Sequence, residues 1–415
     1  MRLVFLNPHI YLGIPVFNFI FRQRSTSKYS YFINQFIKNP DRQVAFLFDD
    51  FSSFNQIGIK LPRLIIFLEI VSWMLINRIN PFSIRIYFGL NGLNQQEDII
   101  YTFSKNNHNE WLAEFRGVVI THLTHYYIDT SRLKLRVSKI KNNFLICEGE
   151  MVNNEFFKHY FPDINFVYQL PFVFGRRFKN KTNFFDRLNR CFATGTLTSP
   201  PKSCTDFFDF FGTNTFVHPM RKKIYDNVAS LDGLIDSSIT YADDLDDVRK
   251  IKSDDSFKIK LIKNFLPYFL IYKLLPNYKN KYFKFDIVEK YNSYRMFICP
   301  EEAAGVMPIG ALEGMACGCA LIAADDPMYT KLGMIDGVHY IAYEKYNLDD
   351  LKDKIKFYQL PENQNKLKDI AKNGHKLVSE NLNENRIADV LWSDLEILIK
   401  NFNNDLKEFR CSFHK

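Results

Sequence analysis

The sequence predicts an α/β protein built as two doubly wound parallel sheets, and two observations carry that prediction. The first is length: 415 residues exceed what one hydrophobic core ordinarily serves, so two domains with separate cores are expected. The second is a short apolar run, closed by a turn signal, that recurs along the chain with helix-compatible stretches between most copies. Buried parallel strands joined by crossover helices give this pattern.

The elements follow in order. Residues 2–7 (RLVFLN) and 43–48 (QVAFLF, closed by Asp49 and Asp50) read as buried strands, and SIRIYF from Ser83, GVVIT from Gly117 and NFLIC from Asn143 repeat the theme. Near residue 165, INFVYQLPFVFGRRF gives way to the polar, basic KNKTNFFDRLNR before CFATG restarts a strand at Cys191. That change of composition sets the expected domains at 1–185 and 186–385. A strand CALIAA from Cys319 and amphipathic helices from about Leu348 close the second domain, and the last helix, through VLWSDLEILI, belongs to a terminal segment 386–415.

Composition narrows the function classes. With 47% hydrophobic and 24% charged residues the chain is neither disordered nor fibrous. A net charge of +8 attracts polyanions: phosphorylated donors, anionic lipid head groups or nucleic acid. The positive charge is spread out and accompanies no nucleic-acid motif, so nucleic acid is not an expected partner. Seven cysteines without a CxxC pair or Cys/His ladder suit a reducing compartment without structural zinc, and Cys317 and Cys319 read as packing residues. The 41 Phe and 22 Tyr reflect an AT-rich genome, with some rings available to stack on sugars. Asn7, Pro8 and His9 interrupt the first apolar stretch, so no export signal is expected. The greasy segment from Leu61 carries Arg63, Glu69 and Asn77 and falls short of a spanning helix. It reads as a buried helix or as one lying on a membrane surface. A cytoplasmic protein, with peripheral contact at an anionic inner membrane face, fits these features.

The stretch 294–326, YRMFICPEEAAGVMPIGALEGMACGCALIAADD, carries most of the chemistry. MFIC is a strand, 300–307 a loop holding Glu301, Glu302 and Gly305, and Pro308 suits the first turn of a helix that Gly318 ends. Free N–H groups near Ile309 and Gly310, with the helix dipole, make an anion site fit for a diphosphate, and Gly310 admits a ligand closely. Glu313, one turn further in, can accept hydrogen bonds from the vicinal hydroxyls of a ribose, or it is a capping or exposed glutamate.

This stretch resembles the C-terminal signature of GT-B glycosyltransferases, particularly the nucleotide-sugar group with an E-x7-E motif, and GCALIAADD is also similar to spore-coat-type and exostosin-like GT-B proteins. The resemblance implies a GT-B architecture: an N-terminal acceptor domain, a C-terminal donor domain, a cleft between them and a final helix that crosses back. It further implies glycosyl transfer from a nucleotide-sugar donor to a glycan or lipid-linked acceptor, as in bacterial lipopolysaccharide or capsule synthesis. By resemblance Glu313 binds ribose, and the loop 301–310 surrounds the donor sugar and diphosphate. Gly305 stands eight before Glu313, where the family has its first glutamate, so Glu301 or Glu302 is left to take that role. A sugar-nucleotide epimerase of the same fold and a non-catalytic glycan- or polyanion-binding protein are the alternatives.

The resemblance extends weakly over GVVITHLTHYY, NFLICEGE, PFVFGRRF and CFATGTL. The last matches the first strand and glycine turn (Gly195) of the donor domain, with Thr196 where the family often has a basic residue. Phosphate neutralisation then falls to Lys202 or to Arg221, whose guanidinium fork can hold two oxygens, unless that basic run is a solvated helix face. His122 and His125 end an apparent strand where ligands meet open α/β sheets, and either can deprotonate an acceptor hydroxyl or be structural, with Asp129 a weaker alternative. Asp244 and Asp246 could bind a divalent ion, but the mixed charges that follow suit an exposed helix, and no metal or tightly bound cofactor is expected. The lysine- and aromatic-rich stretch from Lys258 either rests on anionic membrane or covers the donor domain.

Overall fold

A computed structural model of the protein describes residues 1–8, 35–48, 67, 68, 70, 71, 74, 75, 78–104, 110–241 and 285–400. Most of the segment 61–79, Asp244, Asp246 and the stretch from Lys258 to residue 284 lie outside the described residues.

The strands are β1 (Arg2–Leu6), β2 (Gln43–Phe48), β3 (Arg85–Phe88), β4 (Asp98–Phe103), β5 (Val118–His122), β6 (Asn143–Cys147), β7 (Tyr168–Gln169), β8 (Leu188–Leu197), β9 (Ile235–Tyr241), β10 (Tyr294–Ile298), β11 (Ala320–Ala324) and β12 (Ile341–Tyr343). They form a seven-stranded sheet in the order β3-β2-β1-β4-β5-β6-β7 and a five-stranded sheet in the order β12-β11-β10-β8-β9. Every pairing is parallel. Helices α1 (Thr130–Lys139), α2 (Glu155–Tyr160), α3 (Thr205–Phe211), α4 (Pro219–Asp226), α5 (Ile287–Ser293), α6 (Ile309–Ala316), α7 (Pro327–Thr330), α8 (Leu348–Gln359), α9 (Gln364–Asn381) and α10 (Glu384–Lys400) connect or flank them.

The centre of the first sheet is β4, a strand the sequence reading passed over. All six of its residues are buried, and its register on β1 places Arg2 opposite Asp98. The Arg2 guanidinium meets that carboxylate as a fork, at 2.8 and 2.6 Å. The pair holds β1 and β4 in one register from their first residues, and a slip would turn every side chain to the wrong face.

Between the sheets, residues 170–187 are tied down by Arg187, which is 3% exposed. Its guanidinium donates to Asn180 Oδ1 at 2.7 Å and to the carbonyls of Thr182 (2.9 Å), Cys317 (2.9 Å) and Tyr291 (3.3 Å). One side chain therefore fastens the connection to α5 and to the end of α6. Lysine keeps the charge but not the fork, so Arg187→Lys is expected to lower stability by about 2 kcal/mol, read as a shifted urea midpoint at unchanged slope. An unchanged midpoint would remove this role.

Helix α10 returns to the first sheet. Trp392 packs on Phe36 with ring centroids 5.6 Å apart, Tyr168 donates to Asp394 at 2.7 Å, and Arg176 pairs with Glu384. The two sheets also share apolar packing at their carboxyl ends: Tyr126, Met151, Phe156 and Phe157 from one side join Phe207, Val217, Ala304 and Val306 from the other. Tyr126 Oη donates across this seam to Ala304 O at 2.8 Å. Among the described residues no helix is long and apolar enough to cross a membrane.

Candidate functional site

The second sheet sets the site. Strand β8 has β9 on one side and β10 on the other, so the strand order reverses there. Crevices at the carboxyl ends of strands at such a reversal are where open α/β sheets take ligands. Gly195, near the end of β8, adopts φ +133°. Arg221 of α4 lies directly over it: a Cβ on Gly195 would stand 2.6 Å from the guanidinium carbon. Arg221 is 8% exposed, donates from Nη1 to Thr196 O at 3.2 Å, and its Nε has no hydrogen-bond partner. A buried cation with an unmet donor is costly until a partner satisfies it. Lys202 is exposed in the loop before α3; of the two candidate basic residues, only Arg221 packs over the glycine.

Across the crevice, β10 runs into the loop that carries Glu301. This residue is fully buried, and neither carboxylate oxygen meets a donor. Burial pushes its carboxyl up to about 7, against the opposing pull of Lys345 and Arg221. The buried hydroxyls of Tyr329 and Tyr343 also lack partners, and both feel the charge of Glu301.

His218, which the sequence reading did not single out, caps α4. It sits with Nδ1 3.1 Å from Pro300 O, so Nδ1 carries the proton. Burial, with the Arg221 charge, holds its pKa well below the usual histidine value, leaving a neutral ring beside the guanidinium.

Helix α6 begins one residue later than the sequence suggested: Pro308 is its extended N-cap and Ile309 its first helical residue. The N–H groups at this end have no intrahelical acceptor. Gly310 has a different reason from the one expected. A Cβ there would meet Cys299 Sγ at 2.6 Å, so its small size serves packing of α6 on the end of β10. Gly318 does end the helix, with φ +73°; its N–H reaches Met315 O at 2.9 Å and Cys319 N–H reaches Gly314 O at 3.2 Å, a Schellman closure. Cys317 and Cys319 are buried and free. Glu313, partly open at the surface but enclosed by protein below, has its carboxyl pushed up to about 7 by burial, with Arg177 pulling it back down.

The two candidate histidines are placed very differently. His122 is 1% exposed, with Nδ1 2.7 Å from Tyr101 Oη and Nε2 3.1 Å from Glu148 Oε1; both ring nitrogens are engaged inside the first sheet. His125 lies at the seam in a left-handed conformation (φ 44°, ψ 46°), unusual for a residue with a side chain. Its Nδ1 stands 3.2 Å from Tyr127 Oη and 3.9 Å from a carboxylate oxygen of Glu302, with 28% of its side chain exposed. Asp129, four residues on, is the N-cap residue of α1. Gly305 (φ +81°) brings its loop against the first sheet's side, where a Cβ on Gly149 would stand only 1.8 Å from Gly305 O. Among the described residues no group of three His, Cys, Asp or Glu side chains is arranged to hold a metal ion.

No protein-family model and no curated protein matches the sequence. Solved structures do match the fold. Sucrose-phosphate synthase from Thermosynechococcus elongatus is 11% identical, covering 96% of this chain and 99% of that one, with a TM-score of 0.51. HepE from Anabaena, in complex with UDP and glucose, is 14% identical over 96% of this chain and 100% of that one, with a TM-score of 0.50. The chain has the GT-B fold: two parallel-sheet units facing each other across a cleft at their carboxyl ends.

Proposed function

We propose that the protein is a glycosyltransferase, moving a sugar from a nucleotide-sugar donor to a glycan or lipid-linked acceptor, with residues 1–185 as acceptor domain, 186–385 as donor domain and 386–415 as the returning helix. The observation that carries this reading is the set of unsatisfied polar groups at the strand-order reversal of the second sheet: Arg221 Nε over Gly195, and the buried Glu301 carboxyl opposite. Arg221 and the N–H groups opening α6 would hold the donor diphosphate, and Glu313 the ribose. As the bond between the anomeric carbon and the diphosphate oxygen breaks, that oxygen keeps the electron pair and Arg221 stabilises its charge. The acceptor oxygen bonds to the anomeric carbon and passes its proton to His125, which Tyr127 and Glu302 orient. His122, with both nitrogens engaged by Tyr101 and Glu148, is left with a structural role in the first sheet. Neutral His218 adds no charge to compete with the diphosphate. The net positive charge and the AT-rich composition suit an enzyme of lipopolysaccharide or capsule synthesis working at the cytoplasmic face of a bacterial membrane.

UDP is the first nucleotide to test, because HepE was solved with it; GDP, CMP and dTDP follow. Binding to the folded state raises the melting temperature. Arg221→Met is expected to cut nucleotide affinity about tenfold or more, the loss of a charged hydrogen bond worth roughly 1.5–3 kcal/mol. Glu313→Gln should do so to a smaller degree. Nucleotide release that depends on added acceptor supports transfer, donor conversion without acceptor points to an epimerase, and no shift with any nucleotide sinks the reading.

A further inference from the structure

A cavity of about 340 Å³ opens beside the loop 301–308, and Gly195, Arg221 and Glu313 are not among the residues that line it. It lies off the carboxyl ends of β6, β10, β11 and β12, so both units build it, and its volume falls at the small end of ligand sites, roughly 300–1,000 Å³. Glu150 and Asn154 line it from the first unit, Asp326 and Lys345 from the second, and Phe210 and Phe211 of α3 form its aromatic wall. Gly305 also lines it, three residues from the Glu302 that approaches His125.

The chemistry of this lining is specific. Its buried carboxylates are already neutralised: Glu150 pairs with Lys331 at 2.7 Å and Asp326 with Lys345 at 2.6 Å. Glu155, exposed, is a third carboxylate in the lining, so the cavity offers hydrogen-bond acceptors and donors and no excess positive charge for an anionic ligand. Phe210 and Phe211 lie edge to face, centroids 4.8 Å apart, and Phe211 stacks on Phe156 at 5.2 Å and 24°. An aromatic face attracts the slightly positive C–H face of a pyranose ring, while carboxylates and amides take its hydroxyls. The wall is also fixed in place before any ligand arrives. Asp206 of α3 accepts from Ser131 N and Oγ at 2.8 and 2.7 Å, and its carbonyl accepts from Tyr160 Oη at 2.8 Å. Such preorganisation lowers the cost of binding.

We infer that this cavity binds one uncharged hexose unit of the acceptor glycan, stacked on the Phe210 and Phe211 wall with its hydroxyls toward Glu150, Asn154 and Asp326. The inference rests on the glycosyltransferase reading for the word acceptor, but the binding site stands on its own geometry. Saturation-transfer NMR of the full chain with UDP present, against the methyl glycosides of glucose, galactose, mannose, N-acetylglucosamine and glucuronic acid, tests it. The expected result is saturation of ring C–H protons in at least one neutral glycoside, weakened at least fivefold by Phe210→Leu, which keeps apolar bulk but loses the flat face, and by Phe211→Leu. The UDP-induced melting shift should be the same in all three proteins. No neutral glycoside bound, preference for the glucuronide, or binding undiminished in both variants would overturn the inference. A missing UDP shift in the unsubstituted protein would instead overturn the donor reading, whatever the glycosides do.

Discussion

Glu301→Gln is expected to make the ligand-free protein more stable than the unsubstituted chain at pH 8, by on the order of 3 kcal/mol, and to lose that advantage as the pH falls to 4.5. The carboxyl is fully buried without a hydrogen-bond donor, and burial raises it from 4.5 to about 7. Below pH 4.5 the group is protonated in both folded and unfolded chains and contributes no pH dependence. Between 4.5 and 7 the folded chain keeps the proton that the unfolded chain releases, so stability falls as pH rises. Above 7 the full cost of burying the ionised group is present. Glutamine removes that cost at every pH. Urea unfolding at half-unit steps from pH 5 to 8 should show the two stabilities diverging through this window, and parallel curves would show that Glu301 finds charge compensation. The same substitution should weaken donor binding if the carboxyl contacts the sugar, leaving a more stable and less active protein. Active sites commonly show that trade when a polar group is held unsatisfied for its ligand.

Much of this arrangement was legible in the sequence because parallel strands buried on both faces leave unbroken apolar runs. The strands at 2–6, 43–48, 118–122, 143–147 and 320–324 are such runs, and all are present. The central strand β4 was nearly as apolar but opens on the last residue of NQQED and so reads as the end of a polar loop; that residue, Asp98, is paired with Arg2 rather than solvated. The edge strands β7 and β12 have two and three residues, too short for a period to register. In the site, the strand, loop and helix around Glu301 and Glu313 were readable, since Gly318 and the 308–310 turn punctuate the chain locally. What sequence could not convey was depth and partnership. Gly310 looked like room for a ligand and is filled by Cys299; His122 and His125 looked equivalent and lie one inside the sheet, one at the seam. Helix α3 carries no motif that marks a site, and its role as a wall depends on contacts with residues 75 and 46 positions away.

Gly149→Ala should be among the most damaging single-methyl additions in the chain, lowering stability by about 3 kcal/mol or more and abolishing turnover. Most crowded glycines face side chains that can rotate away. Here the added carbon would lie 1.8 Å from Gly305 O and 2.9 Å from its carbonyl carbon, and backbone cannot yield without moving the loop that carries it. That loop is held from both sides: Tyr126 donates to Ala304 O at 2.8 Å, Ala303 N donates to Val217 O at 2.8 Å, and a Cβ on Gly305 would itself strike Asn154 at 2.5 Å. The methyl therefore wedges apart the two sides of the cleft where His125 meets Glu302 and where the hexose cavity begins. Nucleotide binding, which the proposed function assigns to Arg221 and α6 within the second unit, should survive at temperatures where the variant is folded. Acceptor-dependent transfer should fail there. If transfer and binding fell together in proportion to unfolding, the seam would be a stability element alone; separation of the two would place the reacting geometry at the contact between Gly149 and Gly305.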